Sequence, residues 1–470
     1  MLARFPETEE QPTYMAPGKE EQWRRRCRLV LIPLPFQGHI SPMLQLGSIL
    51  HSKGFSITVL HTTFNPPISS DYPEFRFVSA PDNLSDQAVP TDNLLFFISH
   101  INVKCRVPFQ ECLAKMVEQG REEKEEIACV IYDECMHFSE AVAEHVKLPS
   151  IVLRTTSAST YISRNAIVRL KADGVLTSQG STSQELVPGL YPLRFKDLPV
   201  SKIGTPEIFL QFITDINKTR TSSSPVIWNT NDVLELPSLQ EIQKQNHVRI
   251  FPIGPLHGVA PTSSSSLIKE DRSCITWLDK QIENSVVYVS LGSLASIDKK
   301  ELAEMAWGLA NSNQPFLWVI RLGSVDDLEW NKLLTEGFIE AVGENGCIVK
   351  WAPQKEVLAH GAVGGFWTHC GWNSTLESIS EGVPMICKPC FGDQRVNARY
   401  VSRVWKTGIQ LENICDRGLV EKTIKRLMVD EEGKKMRLRA KYLKERVEIS
   451  IRDGSSYNSL NDLIELIRSF

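Results

Sequence analysis

Short apolar runs, divided by polar glycine-containing turns and by stretches with helical periodicity, recur along most of the chain. The first is Cys27–Leu34. It gives way to Pro35-Phe-Gln-Gly-His39, after which Met43, Leu44, Leu46 and Leu50 keep helical spacing as far as Gly54, and Phe55–His61 is apolar again. Strand, loop, helix and strand in that order make a βαβ unit, and its repetition predicts a parallel sheet. Ile127–Tyr132, Ser150–Leu153 and Val226–Asn229 supply further strands, with a helical pattern at Phe138–His145. After Pro255 the texture changes. Gly258–Leu267 contains Pro261-Thr and four consecutive serines, a composition with little to bury. The pattern restarts with a strand at Ser285–Leu291, the turn Gly292-Ser293 and an amphipathic helix at Lys299–Ser312. Strands are predicted at Phe316–Arg321, Cys347–Val349, Gly364–Thr368 and Pro384–Lys388, then a charged helix at Glu432–Val447 and an amphipathic one at Tyr457–Arg468.

This pattern predicts an α/β protein with two Rossmann-like α/β/α domains facing each other across a cleft. The boundaries follow the changes in texture: a disordered tail over 1–26, a first domain over 27–255, a linker over 256–270 and a second domain over 271–447. A C-terminal helical segment, 448–470, packs back towards the first domain. A chain of 470 residues exceeds what one compact core normally holds. In parallel sheets ligands collect beyond the carboxyl ends of the strands, where His39 and Asp133 both fall.

Composition narrows the function. Hydrophobic residues at 42%, charged residues at 23% and a net charge of -4 lack the basic excess of a nucleic-acid binder, so anionic ligands must be held locally. Eleven scattered cysteines suit a reducing compartment rather than a disulfide framework. Cys387 and Cys390 form a lone C-x-x-C with no second ligand pair, and no metal is expected. Met1–Gln22 holds no apolar run suited to a signal sequence, and no stretch approaches membrane-spanning length. A cytoplasmic monomer without membrane insertion is expected.

The densest chemistry lies between Trp351 and Gln394. Within it, Thr368-His-Cys-Gly-Trp-Asn-Ser-Thr375 is a polar turn opening into a helix predicted over Thr375–Glu381 and stopped by Gly382 and Pro384. Unpaired N–H groups and the positive helix end suit a phosphate, with Asn373 and Ser374 at cap positions; a capped core helix would show the same pattern. Trp351 can stack on a flat base, and Ala352–Gln354 can present backbone groups and an amide to its edge. His369, Asn373 and Ser374 suit a diphosphate. Glu377, one turn beyond Asn373, would repel phosphate but can accept from a ribose diol. Asp393-Gln394, after a strand, offers an acceptor and an amide for sugar hydroxyls. In the first half, an imidazole at His39 can remove a proton at neutral pH while Asp133 orients the ring.

The segments Trp351-Ala-Pro-Gln354, His360, Thr368-His-Cys-Gly-Trp-Asn-Ser374, Glu377, Gly382-Val-Pro384 and Asp393-Gln394 resemble the signature box of plant family 1 UDP-glycosyltransferases, 44 residues from Trp351 to Gln394 without a gap. Pro35-Phe-Gln-Gly-His39-Ile-Ser-Pro42, Ile131-Tyr-Asp133, Ile227-Trp-Asn229 and Tyr288-Val-Ser-Leu-Gly-Ser293 extend the likeness, and local wording resembles the branch with steviol-type terpenoid and cytokinin glucosyltransferases. The resemblance implies a GT-B fold, an acceptor-binding first domain, a UDP-sugar-binding second domain and an inverting transfer with His39 as base and Asp133 as its partner. It implies that Trp351 stacks on uracil, Ala352 and Gln354 meet the base or ribose, and Glu377 holds the ribose. Ser293, His369, Asn373 and Ser374 would take the diphosphate; Trp372, Asp393 and Gln394, with Thr155, would take the sugar. Gln394 favours glucose.

No cofactor is expected beyond UDP-glucose as donor substrate, and no Asp-x-Asp metal motif occurs in the sequence. The acceptor would be a small lipophilic molecule carrying a hydroxyl, carboxyl or amine, such as a terpenoid, flavonoid or cytokinin, with Phe96, Phe97, Met136, His137, Phe138 and Tyr161 as candidate lining. Two other readings stay open: a non-catalytic UDP-sugar-binding relative, and a GT-B nucleotide-sugar epimerase.

Overall fold

The computed structural model describes residues 28–82, 94–123, 125–175, 183–200, 206–217, 224–245, 248–261, 266–293, 298–321, 337–412 and 415–470. The expected tail over 1–26, Cys27, and linker residues 262–265, with three of the four serines, lie outside the described residues.

The first domain is built on strands β1 (Arg28–Ile32), β2 (Ser56–Thr62), β3 (Arg76–Ala80), β4 (Ile127–Asp133), β5 (Ser150–Arg154), β6 (Val226–Trp228) and β7 (Ile250–Pro252). They form one seven-stranded sheet in the order β3-β2-β1-β4-β5-β6-β7, with every pairing parallel. The second holds β8 (Val286–Ser290), β9 (Phe316–Val319), β10 (Gly346–Val349), β11 (Val363–Thr368), β12 (Met385–Cys387) and β13 (Gly408–Gln410). Their order is β10-β9-β8-β11-β12-β13, again all parallel. The central strands are apolar on both faces because helices cover both. In β1, Val30 and Ile32 join the core on one side while Leu29 and Leu31 join that on the other.

The two sheets share one consequence of their order. In the first, the winding reverses between β1 and β4; in the second, between β8 and β11. These switch points leave crevices at the strand ends. His39 follows β1 and Asp133 ends β4, whereas Ser293 follows β8 and His369 follows β11.

The last helix, Ser455–Ser469, sends Leu460, Leu463, Ile464 and Ile467 into the core beneath the first sheet. Burying each contributes roughly 2 kcal/mol, enough to hold this helix against the opposite domain. Nearer the cleft, Trp372 Nε1 donates to the Asn229 carbonyl at 2.7 Å and Asn373 Nδ2 to the Gly38 carbonyl at 2.8 Å. Glu412 of the second domain accepts from Arg194 at 3.0 Å and Lys196 at 2.7 Å of the first.

Candidate active site

His39 stands in the first turn of a helix, Gln37–Ser52, and not on a loop as its Gly-preceded position suggested. The helix starts early because the Ile40 N–H already bonds the Phe36 carbonyl at 2.9 Å. His39 Nδ1 lies 2.8 Å from Asp133 Oδ2, and Asp133 is fully buried. A carboxylate can only accept, so the ring carries its proton on Nδ1 and keeps the Nε2 lone pair. The other oxygen, Asp133 Oδ1, accepts from the Cys135 N–H at 2.9 Å, which fixes the carboxylate's rotation. Burial lowers the His39 pKa, but the charge and hydrogen bond of Asp133 outweigh it, and the net displacement is upwards.

Thr155 Oγ1 lies 3.0 Å from the same Nδ1 and is buried. Its hydroxyl is therefore bonded to the imidazole, beside the place the resemblance gives it among the sugar ligands. Beside the pair, Glu134 accepts from Arg154 at 2.5 Å and Thr156 at 3.0 Å, and has Arg164 at 3.7 Å.

Across the cleft, the helix after β11 runs from Trp372 to Glu381, three residues earlier than the sequence suggested. Gly371 is its N-cap, since Thr375 N–H bonds the Gly371 carbonyl at 2.9 Å. Asn373 and Ser374 are thereby first-turn residues and not caps. The backbone N–H groups of Trp372, Asn373 and Ser374 precede the first bond within this helix and offer an anion site on the positive end of its dipole. The Asn373 side chain is engaged with Gly38, so it joins the helix start to the residue preceding His39.

His369 is packed between two glycines: a Cβ on Gly292 or on Gly371 would sit 2.5 Å from its ring. Gly292 also adopts φ +78, which excludes most other residues. Burial lowers the His369 pKa to about 4, and its Nδ1 is buried without a hydrogen-bond partner. His369 thus offers an anion one N–H but no charge. Ser293 is half-buried in the turn after β8.

The remaining box residues form a chain of contacts. Trp351 is half-buried with Nε1 donating to Ser266 Oγ at 2.8 Å, which fixes the indole edge, and Ala352 is buried. Gln354 does not wait free for a base: its Nε2 donates to Glu377 Oε2 at 2.6 Å and Ser374 Oγ at 3.0 Å, and its Oε1 accepts from Tyr288 at 3.2 Å. Burial raises the Glu377 pKa to about 7, against the opposing Gln354 bond and Lys355 charge. Gln394 is buried, with Oε1 accepting from Cys390 N–H at 2.8 Å and Phe391 N–H at 3.0 Å, leaving its NH2 group for a ligand. Asp393 lies close enough to His39 for each charge to favour the other, which joins the two halves at one place. The Trp372 indole cannot grip a sugar: it is buried and its N–H is taken by Asn229, so only its backbone N–H remains.

The aromatic candidates for acceptor contacts require correction too. Met136, Phe138 and Tyr161 are core residues; Phe138 meets Phe109 edge-on at 5.3 Å, and Tyr161 packs against Trp228 at 5.4 Å beneath Arg154. Phe97 is buried between Phe36 and Phe64. Phe96 is 63% exposed and stacks on His100, and His137 is half-buried just before Phe138–His145. Sequence reasoning assigned no role to Asn229, which holds Trp372, or to Asn397, which lies four residues after Asp393 and hence on its helical face.

Among the described residues, His39, Asp133 and Cys135 alone gather potential metal-ligand atoms within 4.8 Å of one another. Burial pushes the Cys135 thiol well above its ordinary range, and Asp133 is committed to the imidazole.

A helix start able to take a diphosphate, facing an imidazole–carboxylate pair across a cleft between two parallel sheets, defines a GT-B glycosyltransferase. Residues 240–445 match the family model for UDP-glucoronosyl and UDP-glucosyl transferase. The chain is similar to flavonol 3-O-glucosyltransferase UGT76E12 of Arabidopsis thaliana, 50% identical over 459 residues that cover 96% of this chain and 99% of that protein. It is 49% identical over 446 residues to UDP-glycosyltransferase 76E1 of the same plant, covering 94% and 97%. The solved structure of Phytolacca americana UGT2 complexed with UDP-2fluoro-glucose and pterostilbene is similar over 94% of this chain and 99% of that one, with 25% identity and a TM-score of 0.77. The chain belongs to the plant family 1 UDP-glycosyltransferases. It is an enzyme acting on a UDP-sugar and a small-molecule acceptor, and no helix among the described residues is long and apolar enough to cross a membrane.

The elevated Glu377 pKa has a measurable consequence if this carboxylate holds the ribose. A diol donates to the charged form, so donor binding strengthens as pH rises through about 7 and weakens below it. The Kd of UDP-glucose, measured by calorimetry, should be about tenfold weaker at pH 6 than at pH 8. Glu377→Gln should flatten that dependence and weaken binding at high pH; a slope that survives the substitution would assign the titration elsewhere.

Proposed function

We propose that this enzyme transfers glucose from UDP-glucose to a small lipophilic acceptor with inversion at the anomeric carbon, as a cytoplasmic monomer. The observation that carries it is the His39–Asp133 pair, with its free Nε2 lone pair, beside the Asp393 carboxylate of the opposite domain. The acceptor oxygen attacks the anomeric carbon as its proton passes to His39 Nε2. The bond to the diphosphate breaks, and UDP leaves with the electron pair. Trp351 holds the base, Glu377 the ribose, and Asp393 with the Gln394 amide the sugar hydroxyls; Gln394 favours glucose as donor. Asp133 stabilises the imidazolium that forms.

The leaving diphosphate is neutralised by the N–H groups of Trp372, Asn373 and Ser374, with His369 and Ser293 each adding one donor. No metal is required in this account. The acceptor class draws support from a relative named as a flavonol 3-O-glucosyltransferase and from the pterostilbene complex of a similar structure. Flavonols and other phenolics therefore head the panel to be tried.

The test is transfer from UDP-glucose and from UDP-galactose to that panel, followed by mass spectrometry, with and without excess EDTA. A hexose gain with UDP-glucose that EDTA does not reduce is expected. Loss of transfer in EDTA, restored by Mg²⁺, would overturn metal independence; conversion of the nucleotide-sugar without any acceptor would favour an epimerase.

A further inference from the structure

Asn397 is 1% exposed on the helix Gln394–Arg399 and takes no part in the transfer described above. Its amide is nonetheless fully engaged. Nδ2 donates to Asp393 Oδ2 at 3.1 Å and to the Cys370 carbonyl at 3.0 Å, while Oδ1 accepts from Ser157 Oγ at 3.0 Å. A carboxylate and a carbonyl only accept, so the amide cannot turn over without losing both bonds. Ser157 belongs to the first domain, where it caps the helix Ala158–Ala172 by accepting from Thr160 N–H at 3.2 Å. Cys370 immediately precedes Gly371, the N-cap of the diphosphate-facing helix. One buried amide thus joins the Asp393 carboxylate, the turn before that helix, and the opposing domain.

A half-buried carboxylate beside the cleft needs such support. Burial raises the Asp393 pKa, and the Arg164 charge and the Asn397 bond oppose it. With Oδ2 held by Asn397, the group keeps one rotation and can present Oδ1 to a sugar hydroxyl. We propose that Asn397 is a positioning residue for the donor sugar, orienting Asp393 and, through Ser157, tying that orientation to the approach of the two domains. This rests on the reading of Asp393 as a sugar ligand.

UDP lacks the sugar, so its binding separates positioning from general damage. Asn397→Leu keeps the branching and number of side-chain heavy atoms and removes every polar contact. It should raise the KM for UDP-glucose about tenfold, the scale of a hydrogen bond to a charged group, with the Kd for UDP unchanged. Ser157→Ala, losing the contact to Oδ1 together with the cap bond from Thr160 N–H but leaving the Asn397 bond to Asp393 in place, should shift KM in the same direction by less. Added to Asp393→Ala, Asn397→Leu should cause no further loss, because it acts through that carboxylate. Weakening of UDP in step with KM, or losses that multiply in the double variant, would overturn the proposal. If Asp393→Ala leaves KM unaltered, the sugar-ligand reading fails and takes the proposal with it. If Asp393→Ala raises KM and Asn397→Leu does not, only the proposal fails.

Discussion

His39→Ala should bind UDP as the wild type does and transfer glucose about a thousandfold more slowly, the usual scale of a lost general base. The two halves of this expectation have separate origins. In the proposed reading UDP is held by groups of the second domain, and the Asn373 bond that links them to the start of the His39 helix uses the Gly38 backbone carbonyl, which the substitution leaves in place. The rate falls because the described groups bonded to the His39 ring cannot take the acceptor's proton in its place. Thr155 is a neutral hydroxyl, and the Asp133 carboxylate is fully buried with one oxygen occupied by the Cys135 N–H. Single-turnover rates beside UDP calorimetry would resolve the two halves, and unchanged turnover would remove His39 from the chemistry.

Asp133→Asn should be nearly as damaging, with a loss on the order of a thousandfold. The Cys135 N–H, 2.9 Å from Oδ1, would claim the carbonyl oxygen of the new amide and turn its NH2 towards His39. Nδ1 would then have to accept, the ring proton would move to Nε2, and the lone pair that serves as base would be gone. The pH profile should shift as well. Asp133 is what lifts the His39 pKa above its ordinary value despite burial, so its removal lets that pKa fall. The residual activity, lost as His39 protonates, should therefore persist to lower pH than in the wild type. An acid limb that stays in place or moves upwards would show that Asp133 does not set the imidazole's charge.

Much of this was legible in the sequence, for reasons that differ between fold and site. Strands buried on both faces, such as β1, β4 and β11, read as continuous apolar runs and were placed to within a residue or two. The edge strand β3 is mostly half-exposed and mixes Arg76 and Ser79 with its apolar residues, while β7 and β13 have three residues each; none left a run long enough to stand out. The dyad was legible because Asp133 ends, and His39 closely follows, adjacent central strands of one sheet. Contacts made across the cleft carry no local signature, so Asn229 and Ser157 gave no sign of their bonds to Trp372 and Asn397. For the same reason Met136 and Tyr161 were misplaced: an apolar side chain beyond a strand can face a cavity or fill the core, and only packing distinguishes the two.

The anomeric configuration of the product, read from the proton coupling of its anomeric hydrogen by NMR, tests the account most directly. A base placed across the cleft from the departing diphosphate delivers the acceptor oxygen to the opposite face of the sugar. UDP-glucose, an α-linked donor, should therefore give a β-glucoside, with the large coupling of two axial protons. An α-glucoside would contradict this placement of His39, and release of free glucose without any acceptor product would contradict transfer itself.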